Sequence, residues 1–152
     1  MNKPASVGTA VQFGALPTYV GYQVRQMQAA LFRDFRRITA ETGLTPGEFG
    51  LLAMVRENPE INQVSLATLY RIDKSTLSLT IKALIRRGLI ARARARADRR
   101  YLALSLTPAG KKALDQTIRQ VEEQERRIDS ALRPGERERL LDMLARTTAV
   151  FR

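Results

Sequence analysis

The chain contains several segments in which hydrophobic residues recur every three or four positions, the spacing of an amphipathic helix. The first segment runs from Tyr19 to about Glu41 and is predicted to be a long helix that ends at Gly43. Its apolar positions are Val20, Val24, Met27, Leu31, Phe35 and Ile38. Residues 1–15 show no clear period, so a flexible or irregular lead-in is expected there.

Three shorter helices are predicted to follow, each with its own start signal. The stretch TPGE at residues 45–48 is a capping box, which predicts a helix that continues to about Asn58. After the connection NPEINQV, a short helix is predicted over residues 65–72. Asp73 is then expected to cap a helix over residues 74–87, which Gly88 ends.

From residue 91 the hydrophobic period changes from 3.6 to 2, which predicts a β-hairpin. Alanines alternate with arginines, and after Asp98-Arg99-Arg100 the leucines at 102, 104 and 106 are expected to point inward. Thr107-Pro108 then opens a long helix, and Pro134-Gly135 separates it from a last helix.

These elements predict a mainly α protein with a small β-hairpin wing (α+β). Two helices joined by a tight turn and followed by a basic hairpin are the components of a winged helix-turn-helix. We expect one domain over residues 1–152, with a DNA-binding lobe at 45–107 and dimerisation helices at 17–42 and 108–152. The terminal helices carry apolar stripes that a small lobe cannot cover alone, which favours a homodimer. The alternative is that these helices pack only on their own lobe.

Charge and composition narrow the function. The formal net charge is +11, and residues 71–100 contain ten basic and two acidic residues, so this segment carries +8 of it. Concentrated positive charge indicates a polyanionic partner such as nucleic acid, or less often an anionic membrane surface. Together with the winged helix-turn-helix pattern it leads us to expect double-stranded DNA as the partner. The chain lacks cysteine and histidine, which removes the commonest catalytic and metal-binding side chains. We therefore expect no enzyme activity, no cofactor and no metal, and the absence of a membrane span or signal peptide leads us to expect a cytoplasmic protein.

The helix over residues 74–87 is predicted to present one face to DNA. Leu77, Ile81, Leu84 and Ile85 form its inner stripe. On the opposite side, short hydroxyl side chains and two long cations suit close approach to phosphates and base edges. The candidate contacts are Lys74, Ser75, Thr76, Ser78, Leu79, Lys82 and Arg86. The alternative interpretation is an ordinary amphipathic surface helix.

The hairpin supplies a second set of candidate contacts. Arg94, Arg96 or Arg99 could enter a narrow minor groove, where the negative potential is enhanced. Asp98 is expected to pair with Arg92 and Arg100 and to orient them. A basic edge strand that prevents sheet aggregation is the alternative.

Together these residues resemble the MarR-type transcriptional regulators. The resemblance rests on LTPGEFGLLAMV from residue 44, SLATLYRIDKSTLSLTIKALIRRGLI from residue 65, Arg92, the DRR at 98–100 and LSLTPAG from residue 104. It implies a homodimer on a pseudo-palindromic operator and repression that a small ligand relieves. It also implies a wing-tip DNA contact at or near Arg99 and a wing salt bridge of Asp98 with Arg92 and Arg100. Leu79 and Ala83 depart from the charged residues that many members carry.

A small organic effector is the expected signal, since the chain has no cysteine or histidine for redox or metal sensing. The resemblance implies aromatic acids, other phenolics or acyl-CoA thioesters. The candidate effector-binding residues are Tyr19, Tyr22, Arg25, Phe32, Phe35 and Arg36. Plain core and dimer interface is the alternative for these side chains. For the whole protein, the alternative function is a non-specific architectural DNA-binding protein without an effector.

Overall fold

A computed structural model describes residues 12–70, 73–94 and 102–151. After a short 3-10 helix at Leu16–Thr18, the elements follow in chain order: α1 Val20–Ile38, α2 Pro46–Glu57, α3 Gln63–Tyr70, α4 Lys74–Arg86, β1 Ile90–Arg94, β2 Leu102–Leu106, α5 Pro108–Asp129 and α6 Glu136–Ala149. The two strands form one antiparallel sheet. The predicted mainly α fold with a β-hairpin is confirmed. In the described ranges, no helix is long and apolar enough to cross a membrane.

Backbone contacts divide the chain into two units, residues 1–33 and residues 34–152. In the described part of the first unit, the rings of Phe13 and Tyr22 pack with their centroids 6.5 Å apart. Most other large apolar side chains of this unit are exposed. They are Leu16, Tyr19, Val20, Val24, Met27 and Phe32.

The core of the second unit lies where α2, α3, α4, α5 and the hairpin meet. Leu52, Leu66, Ile81, Leu84 and Leu114 are each completely buried there. Full burial of one such side chain contributes about 1.5–3 kcal/mol relative to exposure. This shared core holds α4 against the elements on both sides of it in the sequence.

The helix start signals have the geometry that the sequence predicted. The Thr45 hydroxyl accepts a hydrogen bond from the Glu48 backbone N–H (3.2 Å), and the Glu48 carboxylate accepts one from the Thr45 N–H (2.9 Å). The start of α3 differs from the prediction: the helix begins at Gln63, two residues before Ser65. The Asn62 side chain accepts from the Ser65 N–H (2.9 Å) and so caps an earlier turn.

One leucine of the hairpin departs from the predicted burial. Arg92 pairs with Leu104, so these two side chains lie on the same face of the sheet. Leu104 is buried as predicted, but Leu102 is 53% exposed, and the expectation that it points into the core is wrong. Ala103, on the opposite face of the strand, is buried, and residue 62 forms a β-bridge with it along the sheet edge.

The start of α5 lies unusually close to the turn that follows α4. A Cβ placed on Gly110 would be 2.0 Å from the Leu89 carbonyl oxygen. Thr107 ties the same two segments together: its hydroxyl donates to the Gly88 carbonyl (2.6 Å) and accepts from the Gly110 N–H (3.0 Å). Only glycine therefore fits at position 110 without moving the backbone.

We predict that Gly110→Ala destabilises the protein by about 1–3 kcal/mol or more, because the methyl group overlaps backbone atoms that cannot turn away. Gly47→Ala is the matched control, since a Cβ there meets nothing within 4 Å and alanine favours the helix. Urea unfolding followed by circular dichroism measures both variants. Equal stability of the two would contradict the assigned close contact.

A second tie joins the last turns of α1 to α5 within the second unit. The Asp34 carboxylate accepts from Arg37 (2.7 Å), from the buried Gln124 amide (2.8 Å) and from the Arg127 guanidinium. The hydrogen bond from Arg127, followed by that from Arg37, holds the pKa of Asp34 well below its usual range. The carboxylate is therefore ionised at neutral pH and acts as a brace between the two helices.

The depressed pKa of Asp34 predicts a pH-dependent contribution to stability. Stabilisation by this carboxylate is present above its unfolded-state pKa of about 4 and is lost as the pH falls toward the folded-state value. The difference in unfolding free energy between wild type and Asp34→Asn should therefore shrink as urea titrations move from pH 7 to below about 4. Asp142→Asn, in an exposed ion pair with Arg146, should have little effect at any pH. A difference for Asp34→Asn that does not change with pH would argue against the brace.

Candidate nucleic-acid interface

Helix α4 presents two chemically distinct faces, as its sequence predicts. Leu77, Ile81 and Leu84 are at most 1% exposed, and Ile85 packs against the same core. The predicted contacts lie on the other side, where only Ser78 is half-buried. The exposed residues are Lys74, Ser75, Thr76, Leu79, Lys82 and Arg86. The core thus holds the inner stripe and leaves a polar face with one large apolar side chain available to a partner.

The N-terminal end of α4 is already occupied by an anion of the chain itself. The Asp73 carboxylate accepts from the backbone N–H groups of Ser75 and Thr76, both at 2.9 Å, and from the Ser75 hydroxyl. These hydrogen bonds, that of the Ser75 side chain first, hold the pKa of Asp73 well below its usual range. Because Asp73 takes up these N–H groups and offsets the helix dipole, we expect side chains to be the main ligands of a phosphate near α4.

A groove brings cations from two distant parts of the sequence together. It has a volume of about 360 Å³ and lies between α3, the start of α4 and the base of the hairpin. Lys74 and Arg92 both line it, and the Arg92 guanidinium donates to the Gln63 side-chain oxygen (3.0 Å). The sequence did not predict Gln63 as a residue of the candidate site, because nothing in its position just before a predicted helix indicates a contact with Arg92. The predicted partner of Arg92, Asp98, lies outside the described residues.

A second groove, of about 390 Å³, runs between the exposed side of α4 and the start of α2. Thr76 and Leu79 line one wall, and Thr45 and Gly47 line the other. The side chain of Leu79 is 68% exposed, so it can contact an apolar group such as a thymine methyl. The capping box predicts where α2 starts, but no sequence signal predicted that this segment lies beside the candidate interface.

The remaining wing candidates lie outside the part of the chain that the structure describes. These are the side chain of Arg94 and the residues Arg96, Asp98, Arg99 and Arg100. Strand β1 carries the hairpin as far as the backbone of Arg94, which pairs with Leu102. The wing contacts therefore stay predictions.

The candidate effector residues are distributed over both units. Tyr19, Arg25 and Phe32 are exposed in the first unit, and the Tyr22 hydroxyl there accepts from the Gln26 amide (2.9 Å). In the second unit Arg36 is exposed, whereas Phe35 is only 6% exposed and packs against the tilted ring of Phe49. The position of Phe35 fits the alternative interpretation as core. Among the described residues, no cluster of His, Cys, Asp or Glu could hold a metal ion.

Comparison with known proteins identifies the family. Residues 44–102 match the MarR family. Over 147 residues, 95% of this chain and 89% of the relative, the sequence is 34% identical to a Thauera aromatica protein described as a transcriptional regulatory protein for the hcr operon. The chain belongs to the MarR family. MarR-family winged-helix proteins are DNA-binding transcription factors rather than enzymes, so this member is a transcriptional regulator.

Two solved structures of the transcriptional repressor CouR are similar to this MarR-family chain over most of its length. CouR bound to a 23-mer DNA duplex is 33% identical with a TM-score of 0.83, and the match covers 91% of this chain and 98% of CouR. CouR bound to p-coumaroyl-CoA is 32% identical with a TM-score of 0.81, covering 91% and 97%. The winged helix-turn-helix fold predicted from the sequence is confirmed by these structures.

We predict that Lys82→Ala weakens DNA binding similarly for different sequences, because an exposed lysine on α4 is expected to contact phosphate. The slope of log affinity against log salt should become shallower by about 1. Lys112→Ala, which removes an exposed lysine from α5, is the control and should leave the slope unchanged. Fluorescence anisotropy over a salt series measures both. If the two variants have the same slope as wild type, Lys82 does not contact phosphate.

Proposed function

We propose that this MarR-family regulator is a homodimeric repressor that binds a pseudo-palindromic operator and is released by a small organic effector. The observation that supports DNA binding is the exposed polar face of α4. A groove beside this face is lined by both Lys74 and Arg92. The similarity to a repressor bound to a DNA duplex supports the same role here.

In this proposal, α4 enters the major groove and the wing reaches the adjacent minor groove. Residues 45–107 form the DNA-binding lobe of a single functional domain over residues 1–152. The base and phosphate contacts come from α4 and from the arginines of the wing. They are Lys74, Ser75, Thr76, Ser78, Leu79, Lys82, Arg86, Arg94, Arg96 and Arg99. Asp98 pairs with Arg92 and Arg100 to orient the wing.

The homodimer is supported by apolar surface at both ends of the chain. Val20, Val24 and Met27 are exposed along α1, although an apolar stripe of this kind is normally buried. A second set is exposed on α6 and just after it. It comprises Leu141, Met143, Leu144, Val150 and Phe151. Dimerisation through helices in 17–42 and 108–152 would cover this surface and place two copies of α4 about 34 Å apart, one turn of DNA.

For the effector, we propose an aromatic acid, another phenolic compound or an acyl-CoA thioester. The similarity to CouR, which binds p-coumaroyl-CoA, favours the thioester class. Exposed Arg25 and Arg36 could hold a carboxylate or the phosphates of coenzyme A, and Tyr19, Tyr22 and Phe32 could contact the aromatic part. The effector would stabilise a dimer in which the two copies of α4 no longer match the operator spacing.

Fluorescence anisotropy tests the function against the architectural alternative. The probes are the DNA immediately upstream of the protein's own gene, a duplex selected from a randomised library and a scrambled duplex, at about 0.15 M salt. We expect a preference of roughly 10³ or more for a specific duplex and a dimeric mass by light scattering. Arg99→Ala should cost about 1–3 kcal/mol on that duplex. Equal affinity for all three probes, with no duplex enriched by selection, would mean that the protein is architectural.

A further inference from the structure

Arg87, the C-terminal cap residue of α4, connects this helix to two other segments. Its Nη1 donates to the Glu48 carboxylate (3.1 Å), and its Nη2 donates to the Thr42 backbone carbonyl (2.8 Å). The same Glu48 closes the capping box at the start of α2. The planar fork of one guanidinium therefore ties the end of α4 both to α2 and to the loop between α1 and α2.

That loop is in turn attached to α5. The Thr42 hydroxyl lies 3.1 Å from the hydroxyl of Thr117, a completely buried residue of α5. One residue earlier, the Glu41 carboxylate accepts from the Gln116 amide (2.5 Å). A continuous series of hydrogen bonds thus runs from α5 through residues 41–42 and Arg87 to the end of α4.

Helix α4 is also joined to α5 by the close contact of Gly110 with Leu89. That contact fixes the position of the end of α4, and Leu77, Ile81 and Leu84 pack its inner face against the core. Arg87 adds a directional attachment on a different segment. Core packing and these two attachments together constrain the angle of α4 relative to α5.

We propose that Arg87 is a positioning residue for operator recognition, which sets the angle of α4 relative to α5 and thereby the spacing of the two half-sites. The inference rests on the proposed dimeric operator binding. With 13 residues, α4 is about 20 Å long. A rotation of about 5° around its C-terminal end would move its N-terminal end by nearly 2 Å, about half the rise of about 3.4 Å per base pair.

The test uses Arg87→Lys, which keeps the charge but replaces a two-pronged donor by a single ammonium that cannot hold both acceptors in the same geometry. The control is Arg56→Lys. Arg56 joins α2 to α5, through Asp115 at 3.5 Å, at the end of α2 away from Glu48. The probes are the duplex selected by the wild-type protein and versions with one base pair added or removed between the half-sites.

We expect wild type and Arg56→Lys to discriminate between these spacings equally. In Arg87→Lys the ratio of affinities for the selected and altered spacings should fall by about threefold to tenfold, in the lower part of the range of coupling energies between neighbouring residues. A loss of stability alone would lower affinity for every spacing and leave the ratio unchanged. An unchanged ratio in a folded Arg87→Lys protein would overturn the proposal.

A second pair of variants tests the same series of hydrogen bonds at its other end. Thr117→Val removes the hydroxyl that reaches Thr42, while Thr117→Ser retains it. We expect Thr117→Val to reduce discrimination between the spacings and Thr117→Ser to discriminate as wild type does. The Arg87→Lys/Thr117→Val double variant should lose less discrimination than the sum of the two single effects. Additive effects, or identical behaviour of the serine and valine variants, would count against the coupling. If wild type selects no duplex, the proposed function itself fails and this inference falls with it.

Discussion

The contact between the first turn of α5 and the turn after α4 determines how the whole second unit is arranged. Thr107 donates to the carbonyl of Gly88, and Gly110 leaves no space for a side chain against Leu89. Three elements meet at this point: the end of α4, the start of β1 and the start of α5. A chain that could not approach so closely would have to move α4 or the wing away from α5, and the proposed DNA-contacting surface would lose its shape.

Charged groups of the chain have different roles in the proposed interface. Asp73 occupies the N-terminal end of α4, so the cationic end of the helix dipole is satisfied within the chain. The positive potential of this surface is therefore expected to come mainly from long side chains. Two of them, Lys74 and Arg92, line the same groove. The hydrogen bond to Gln63 orients the Arg92 guanidinium in the free protein. Less conformational entropy of this side chain is therefore lost when a partner binds.

Several predictions depended on local signals and were accurate for that reason. The capping residues Thr45, Asp73 and Thr107 act on backbone groups within three positions, so their effect can be read from a short stretch. Two expectations failed, one in the hairpin and one at the start of α3. Leu102 is exposed although the alternation places it inward, and α3 starts early because Asn62 caps it.

The sequence by itself determined the number and order of the helices, the buried stripe of α4 and the concentration of charge around it, because periodicity, capping and composition act over a few residues. Only the tertiary structure decided which side chains come together across long separations. The fork of Arg87 on Glu48 and Thr42 spans 39 and 45 positions, and the link of Thr42 to Thr117 spans 75. Such contacts depend on the angles at which helices pack, and those angles follow from the shared core and from the close approach of Gly110, which no local pattern encodes.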